Sequence, residues 1–390
     1  MNVRRLRQLL LDAGKHVPFY RDWWLAAGVD LGRLCSAQDL SLLPVIRKAD
    51  LLTCPAERRL DQRFLSKRMR SEPTSGSTGV PFCMPIDRAS LRRRRWRFLR
   101  ALMAVGYLPG KRLMLISDPP FPRGAAALRW TYADLRLGEE AVFHVYAHAR
   151  PDVLYGPLSS LLLLAKRLLR SSHATWQPNL LVSTAEQVTD AHRAVLAAAF
   201  AAPLADFYGM TELGLVAYSN PRRSGFRIAS TDLHVELLPV PHSGGLERLV
   251  VTDLCGGAMP LIRFDTGDLV RREATRTGAS PADIVEISGR QVDCLKLPHG
   301  AWLSPFEVTL ALDRIEGLDQ YRVVQRDERC VDLYVTAEDE ASHAVLGKAR
   351  DALVRACGAE VSVNAQLSNE VPTPLGEKQR AVRSHVSLAR

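Results

Sequence analysis

The feature that most constrains the fold is an alternation of strand-like and helix-like segments in the middle of the chain. Residues 111–117 and 179–186 have the composition of buried strands, whereas residues 161–170 and 189–200 carry apolar side chains at helical spacing. Strands that alternate with helices indicate an α/β sheet. Ligands bind beyond the carboxyl ends of the strands in such sheets, so we expect a site there.

Two later changes of pattern predict the domain organisation. Strands follow one another at 233–240 and 247–254, which indicates a smaller β portion of the same large domain. From about residue 296 the pattern indicates a compact α+β unit, with a helix at 305–315, strands at 320–326 and 330–337, a helix at 341–356 and a strand at 361–367. Because single cores stop growing at roughly 250–300 residues, we expect an N-terminal domain of residues 1–292 and a C-terminal domain of residues 293–390.

Composition excludes several classes of protein. Hydrophobic residues make up 47% and charged residues 24% of the chain, values typical of globular proteins rather than disordered, collagenous or membrane proteins. The N-terminal apolar run is short and is interrupted by Gln8, Asp12 and Lys15, so neither a secretory signal nor a spanning helix is predicted. We therefore expect a cytoplasmic protein without a membrane partner, whose seven scattered cysteines are reduced.

A net charge of +10 raises the question of nucleic-acid binding, and the arginine-rich run at 92–97 is its sharpest source. Apolar residues recur around this run at helical spacing, in the series Leu91, Phe98, Leu102 and Val105 and in the series Trp96, Leu99 and Met103. This favours an amphipathic helix whose arginines face solvent, and a nucleic-acid partner is not expected. Contact with an anionic substrate tail, such as the phosphates of coenzyme A, is left open.

A loop rich in hydroxyl groups and glycine spans residues 74–79, with the sequence Thr74-Ser75-Gly76-Ser77-Thr78-Gly79. Glycines allow the backbone to fold tightly, so that N–H and O–H groups can donate hydrogen bonds to phosphate oxygens. The loop is not a Walker motif, because no Gly-Lys-Ser/Thr follows. In isolation such a cluster is more often an ordinary loop, and its interpretation depends on the motifs that accompany it.

Three further strings complete the set of candidate motifs. Residues 206–212 read Asp-Phe-Tyr-Gly-Met-Thr-Glu, in which an aromatic ring can face a purine and Glu212 can help to hold the divalent ion of ATP. Residues 263–269 contain Thr-Gly-Asp, and Asp268 is suited to accept hydrogen bonds from two ribose hydroxyls. In Gly-Arg-Gln-Val-Asp at 289–293, Arg290 is suited to contact ribose or phosphate.

In this order and at these separations, the four strings resemble the phosphate loop, the aromatic-Gly-x-Thr-Glu motif, the Thr-Gly-Asp motif and the hinge motif of adenylate-forming enzymes. Residues 16–21, 43–48 and 152–160 resemble the phenylacetate–CoA ligase branch, and residues 297–300 resemble its CapK-like and coenzyme F390 synthetase-like relatives. The resemblance covers nearly the whole chain. It implies a large α/β adenylate-forming domain and a small, mobile α+β domain that swings about Asp293.

The resemblance also implies the site residues. Lys378, in the tail Pro372–Lys378, would bridge the substrate carboxylate and the α-phosphate, and Thr211 and Glu212 would act beside it, with Glu212 on the magnesium ion that arrives with ATP. The residues implied to bind ATP are Thr74, Ser75, Gly76, Ser77, Thr78, Gly79, Ala185, Glu186, Asp206, Tyr208, Gly209, Asp268 and Arg290.

The predicted function is ATP-dependent activation of a small carboxylic acid to an acyl-adenylate, with release of pyrophosphate and transfer of the acyl group to coenzyme A. The expected cofactors are ATP, Mg²⁺ and coenzyme A. Three alternatives stay open at this point: transfer to an amine, sugar or carrier thiol, adenylyl transfer of the F390 type, and a nucleotide-binding relative without catalysis. The acid and the oligomeric state are open too, with a homodimer as one alternative.

Overall fold

The structure is a computed structural model that describes residues 3–33, 38–74, 82–117, 129–170, 176–272, 284–313, 315–337, 342–368 and 381–386. Its residues form two compact units, one made of Met1–Ser90 with Thr231–Arg390 and the other of Leu91–Ser230. The α-helices are α1 (Val3–His16), α2 (Pro18–Ala26), α3 (Lys48–Leu52), α4 (Ala56–Arg59), α5 (Arg88–Ala104), α6 (Gly138–Ala149), α7 (Leu158–Arg170), α8 (Asp190–Phe200), α9 (Pro305–Leu312) and α10 (Ser342–Cys357).

The strands alternate with these helices up to α8 and dominate afterwards. They are β1 (Arg70–Thr74), β2 (Phe82–Ile86), β3 (Leu113–Ser117), β4 (Trp130–Asp134), β5 (Val153–Pro157), β6 (Leu180–Thr184), β7 (Leu204–Met210), β8 (Gly214–Asn220), β9 (Arg223–Ile228), β10 (Leu233–Pro239), β11 (Leu246–Asp253), β12 (Phe264–Arg272), β13 (Ile284–Arg290), β14 (Leu295–Lys296), β15 (Trp302–Leu303), β16 (Leu318–Asp327), β17 (Cys330–Ala337), β18 (Ser362–Leu367) and β19 (Val382–Ser384). The predicted α/β fold is confirmed.

The unit of residues 91–230 contains a mixed sheet in the order β9-β8-β7-β6-β5-β3-β4. Strands β3 to β7 run parallel, and β8 and β9 pair antiparallel beside β7. The central strands are almost entirely apolar and buried, as expected for strands that are covered on both faces. The parallel strands β6 and β7 therefore end on the same edge of the sheet, where Ala185 and Glu186 follow β6 and Thr211 and Glu212 follow β7.

Local sequence signals explain where the helices around this sheet begin. Thr189 caps α8, because its hydroxyl accepts a hydrogen bond from the backbone N–H of His192. In α7, the leucines at 158, 161, 164 and 168 are buried against the sheet, which matches the helical spacing of that segment.

The other unit carries an antiparallel β portion in the order β10-β11-β12-β13. The N-terminal segment is fastened to it: Ile46 exchanges backbone hydrogen bonds with Arg263 and Asp265, and the Tyr20 hydroxyl donates to the carbonyl of Pro260 at 2.8 Å. This explains why the strand-rich region after residue 230 and the first 90 residues fold into one unit.

The C-terminal part of the same unit has the predicted sequence of elements. Strands β16 to β19 form a sheet in the order β18-β17-β16-β19, and α9 and α10 lie within their own cluster of buried residues between Leu295 and Val382. Each predicted helix and strand after residue 296 is present within a few residues of its expected bounds. The division at residue 293 and the mobility of the C-terminal domain stay predictions.

The expectation that all the arginines of the 92–97 run face solvent is wrong. Helix α5 forms where predicted, but the side chain of Arg97 is only 4% exposed, whereas that of Trp96 is 62% exposed. The arginine run is therefore not a uniformly solvent-facing side of the helix. Within the described residues, no helix is long and apolar enough to cross a membrane.

Candidate nucleotide-binding and adenylation site

The turn after β6 carries Ala185 and Glu186, two of the residues predicted to bind ATP. Ala185 adopts a left-handed backbone conformation with φ of 69°, which is unusual for a residue with a Cβ atom. The Glu186 carboxylate accepts hydrogen bonds from the backbone N–H and the hydroxyl of Ser159, at 2.9 and 2.7 Å, in the first turn of α7. Glu186 thereby ties the turn to a helix N-terminus, where a negative charge is favoured.

Asp206 lies within β7 and is buried next to β6. The Ser183 hydroxyl donates to its carboxylate at 2.8 Å, and its own backbone N–H donates to the Ser219 hydroxyl, also at 2.8 Å. Burial raises the pKa of Asp206 from its ordinary 3.8 to about 6, although the bond from Ser183 opposes the shift. Asp206, which is predicted to bind the nucleotide, is thus also part of the packing between two strands.

Aromatic and glycine residues shape the end of β7. The Thr184 hydroxyl donates to the carbonyl of Phe207 at 3.0 Å, which joins the ends of β6 and β7. At Gly209, an added Cβ would lie 2.9 Å from the carbonyl oxygen of Gly214. Glycine is therefore required in the Tyr208–Gly209 pair by the close approach of β8.

The turn that holds Thr211 and Glu212 connects β7 to β8 and is supported from α5. Arg94 donates one guanidinium hydrogen bond to the carbonyl of Thr211 at 2.9 Å and a second to the carbonyl of Glu212. The Glu212 residue is largely buried, at 5% exposure. This support was missed by sequence reasoning, which placed the arginines in solvent.

Arg97 continues the support one helical turn further along α5. Its guanidinium donates to the carbonyl of Leu213 at 3.0 Å and, over a longer distance of 3.4 Å, to that of Leu215. The one sequence signal that could have revealed this is that Arg97 interrupts the apolar face next to Phe98. A charged residue at a core-facing position needs buried acceptors.

The Thr-Gly-Asp motif lies on β12, in the other unit. The Thr266 hydroxyl accepts from the backbone N–H of Asp268 at 3.2 Å, and Asp265 accepts from that of Gly267 at 2.9 Å. Asp268 lies opposite Arg290 in the register of β12 and β13, and their charged groups are 4.0 Å apart. The structure therefore brings together the two residues predicted to contact the ribose.

A buried lysine follows the predicted hinge and was not singled out from the sequence. Lys296 donates through its Nζ to the carbonyl of Cys294 at 2.8 Å, and its backbone N–H and carbonyl bond to the side chain of Gln325. Burial lowers the pKa of Lys296. The two hydrogen bonds with Gln325 fasten the segment after Asp293 to β16.

Several predicted site residues lie outside the described part of the chain. These are Ser75, Gly76, Ser77, Thr78 and Gly79 of the phosphate loop, and Lys378 of the tail. Thr74 is the last residue of β1. The remaining residues fall into two groups, one around β6 and β7 and one on β12 and β13.

The donor set at the Thr-Glu turn suits a hard cation. A carboxylate from Glu212 and a hydroxyl from Thr211 are oxygen ligands of the kind that Mg²⁺ prefers. In the part of the chain that the structure describes, no three histidine, cysteine, aspartate or glutamate side chains form a metal cluster. A magnesium ion bound here would take further ligands from the phosphates that accompany it.

The chain is similar in sequence to known enzymes. The chain is 27% identical over 362 residues to a phenylacetate–coenzyme A ligase of Thermus thermophilus, covering 85% of this chain and 79% of that protein. A phenylacetate–coenzyme A ligase of Aromatoleum evansii is 27% identical over 335 residues, covering 79% and 73%. No family model matches the chain.

The fold has solved counterparts. A 2-hydroxyisobutyryl-CoA ligase, determined in the postadenylation state with a bound acyl-AMP, superposes with a TM-score of 0.77 at 20% identity, over 97% of this chain and 88% of that one. The chain therefore has the fold of this CoA ligase. In sequence, the chain is similar to phenylacetate–coenzyme A ligases over most of its length, as the motifs predicted.

Proposed function

We propose that the protein is an AMP-forming acid–CoA ligase, which activates a small carboxylic acid with ATP and then transfers the acyl group to coenzyme A. The observation that carries the proposal is the relationship to phenylacetate–coenzyme A ligases over 85% of the chain. The hydrogen bonds from Arg94 to the Thr211–Glu212 turn and the pairing of Asp268 with Arg290 support it. An aryl acid is the preferred substrate class, by analogy with those relatives.

The proposed chemistry depends on positioning and electrostatics. The substrate carboxylate attacks the α-phosphorus of ATP, the acyl-adenylate forms, and pyrophosphate leaves. Asp268 and Arg290 orient the ribose, and Thr211 and Glu212 present oxygen ligands. A bound magnesium ion supplies neutralisation of phosphate charge.

Lys378 is proposed as the cation that stabilises the charge developing between the two reacting groups. Such preorganised stabilisation is worth about 10²–10³ in rate. The C-terminal domain would deliver Lys378 for adenylation and then rotate about Asp293 for transfer to the thiol.

Pyrophosphate release tests the first half-reaction. Wild type and the Lys378→Ala variant are assayed with Mg-ATP across aryl, short-chain and amino acids, with Lys348→Ala as a matched control, because Lys348 is exposed on α10. We expect release with one class of acid, lowered about 10²-fold or more by Lys378→Ala and unchanged by Lys348→Ala. No release with any acid from protein that binds ATP would contradict the ligase proposal.

The acceptor is tested by a second assay on the same acid. Coenzyme A, hydroxylamine and buffer alone are compared for turnover of the acyl-adenylate and for formation of thioester. Thioester formation dependent on coenzyme A supports the proposal. Turnover with an amine only, or AMP transfer without an acyl product, would select one of the alternative acceptors.

A further inference from the structure

Two arginines of α5 support the turn that carries Thr211 and Glu212, of which Glu212 is the residue predicted to bind magnesium. We propose that Arg94 and Arg97 are positioning residues for Thr211 and Glu212, and that they set the geometry with which this turn receives Mg-ATP. The inference rests on the proposed function, and it adds residues that no motif of the sequence includes.

The first step concerns the bonds made by Arg94. A guanidinium presents its N–H groups in a rigid, planar fork, and here the fork spans the consecutive carbonyls of Thr211 and Glu212. Hydrogen bonds from an ionised donor are stronger than neutral ones. Holding two consecutive carbonyls restricts the backbone torsions between them, and with them the directions in which the Thr211 and Glu212 side chains leave the backbone.

The second step concerns how closely α5 approaches the turn. Gly214, the first residue of β8, has φ of 72°, and a Cβ added there would lie 3.3 Å from Cγ and Cδ of Arg94. The apolar stem of Arg94 therefore packs against the backbone of β8 while its charged end holds the turn. The two strands that flank the turn also approach closely, since a Cβ added at Gly209 would lie 2.9 Å from the carbonyl oxygen of Gly214.

The third step concerns the cost of burying a charge. Arg97 is only 4% exposed and directs its guanidinium at the carbonyls of Leu213 and Leu215. If packing alone were required, an apolar side chain at this position would stabilise the fold at least as well. A buried guanidinium does more than fill space, because its hydrogen bonds fix the positions of the Leu213 and Leu215 carbonyls.

Calorimetric titration with ATP tests the proposal in the full chain. The ATP dissociation constant is measured with Mg²⁺ and with EDTA, and the ratio of the two is the magnesium-dependent gain in affinity. Arg94→Lys keeps the charge but loses the fork. Arg97→Lys is measured in parallel, so that the result does not depend on one variant folding. Arg92→Lys is the matched control, since Arg92 is exposed on the same helix.

We expect the magnesium-dependent gain to fall about tenfold in Arg94→Lys, which corresponds to the loss of one charge-assisted hydrogen bond. Arg97→Lys should fall in the same direction, and Arg92→Lys should match wild type. A purely structural role would lower the melting temperature of both variants and leave the gain unchanged, and that result would overturn the inference.

A double variant tests whether Arg94 acts through Glu212. If it does, Arg94→Lys combined with Glu212→Gln shows the same gain as Glu212→Gln alone. Additive losses would contradict this route.

The proposed function is judged separately by pyrophosphate release. Protein that shows the expected magnesium-dependent gain but releases no pyrophosphate with any acid would remove the ligase proposal and retain this inference. Pyrophosphate release by wild type, together with a magnesium-dependent gain in ATP affinity that neither arginine variant changes, would support the ligase proposal and remove this inference.

Discussion

At the scale of single residues, the buried carboxyl of Asp206 couples stability to pH. Its folded pKa of about 6 exceeds the ordinary 3.8 because burial favours the neutral form. Between these values the folded protein binds more protons than the unfolded one, so the free energy of unfolding falls as pH rises. The contribution is present in full below about pH 4 and is lost as pH rises through 6. A shift of this size corresponds to roughly 2–3 kcal/mol.

Asp206→Asn should therefore be more stable than wild type at pH 8 and show a smaller difference from it at pH 4.5. Urea denaturation at a series of pH values measures the difference in unfolding free energy. Ser183→Ala is the companion variant: it removes the bond that opposes the shift, and the fall in stability with pH should become larger. Parallel curves for wild type and Asp206→Asn would contradict the raised pKa.

At the scale of elements, the end of β13 depends on a glycine. Gly289 has φ of 101°, and a Cβ added there would lie 3.0 Å from both Cβ and Cγ of Pro305, the first residue of α9. Gly289→Ala should destabilise the protein by about 1–3 kcal/mol, because it adds backbone strain to a steric overlap.

The matched control for this prediction is Gly347→Ala. Gly347 lies inside α10, where an added Cβ meets nothing within 4 Å. The control should stabilise by about 0.5–1 kcal/mol, since alanine is the better helix former. If the prediction holds, chemical denaturation shows a lower free energy of unfolding than wild type for Gly289→Ala and a higher one for Gly347→Ala. Equal effects would show that the approach to Pro305 carries no strain.

At the scale of the whole molecule, thiol reactivity reports on how the chain unfolds. The cysteines within the described residues are free thiols, and Cys83 is exposed. Burial raises the pKa of Cys294 to about 12 and that of Cys357 to about 11, so neither thiol should react in the native state. Cys294 packs with Leu246 and Leu269, whereas Cys357 belongs to the C-terminal cluster.

Alkylation with N-ethylmaleimide across a urea series, read by peptide mass spectrometry, should modify Cys83 first. Cys294 lies at the start of residues 293–390 but packs against Leu246 and Leu269, so it reports on the core of the N-terminal domain. If residues 293–390 fold as a separate domain, Cys357 should therefore become reactive at a lower urea concentration than Cys294, because small cores are only marginally stable. A shared midpoint for the two buried thiols would argue against an independent C-terminal domain.

Much of the fold could be predicted because its signals are local. The strand at 330–337 coincides with β17, and the helix at 189–200 coincides with α8 to within one residue. Period and capping are properties of short stretches of sequence, and the motifs that indicated an adenylate-forming enzyme are short strings as well. Parallel β6 and β7 then brought the Ala185 turn and the Thr-Glu turn to one edge of the sheet, as the strand pattern implied.

Only the tertiary structure decided which polar residues are buried and what they hold. Arg94 and Arg97 meet carbonyls more than 110 positions away in the chain, so helical periodicity could place them on a helix but could not show what that face contacts. The same holds for Asp206, whose pKa is raised by burial within the sheet, and for Gly209, which is required by the close approach of β8. The sequence by itself determined many of the helices and strands and the resemblance to adenylate-forming enzymes, because both are encoded in short stretches of residues. The support of the site depended on packing between distant segments, which no local pattern encodes.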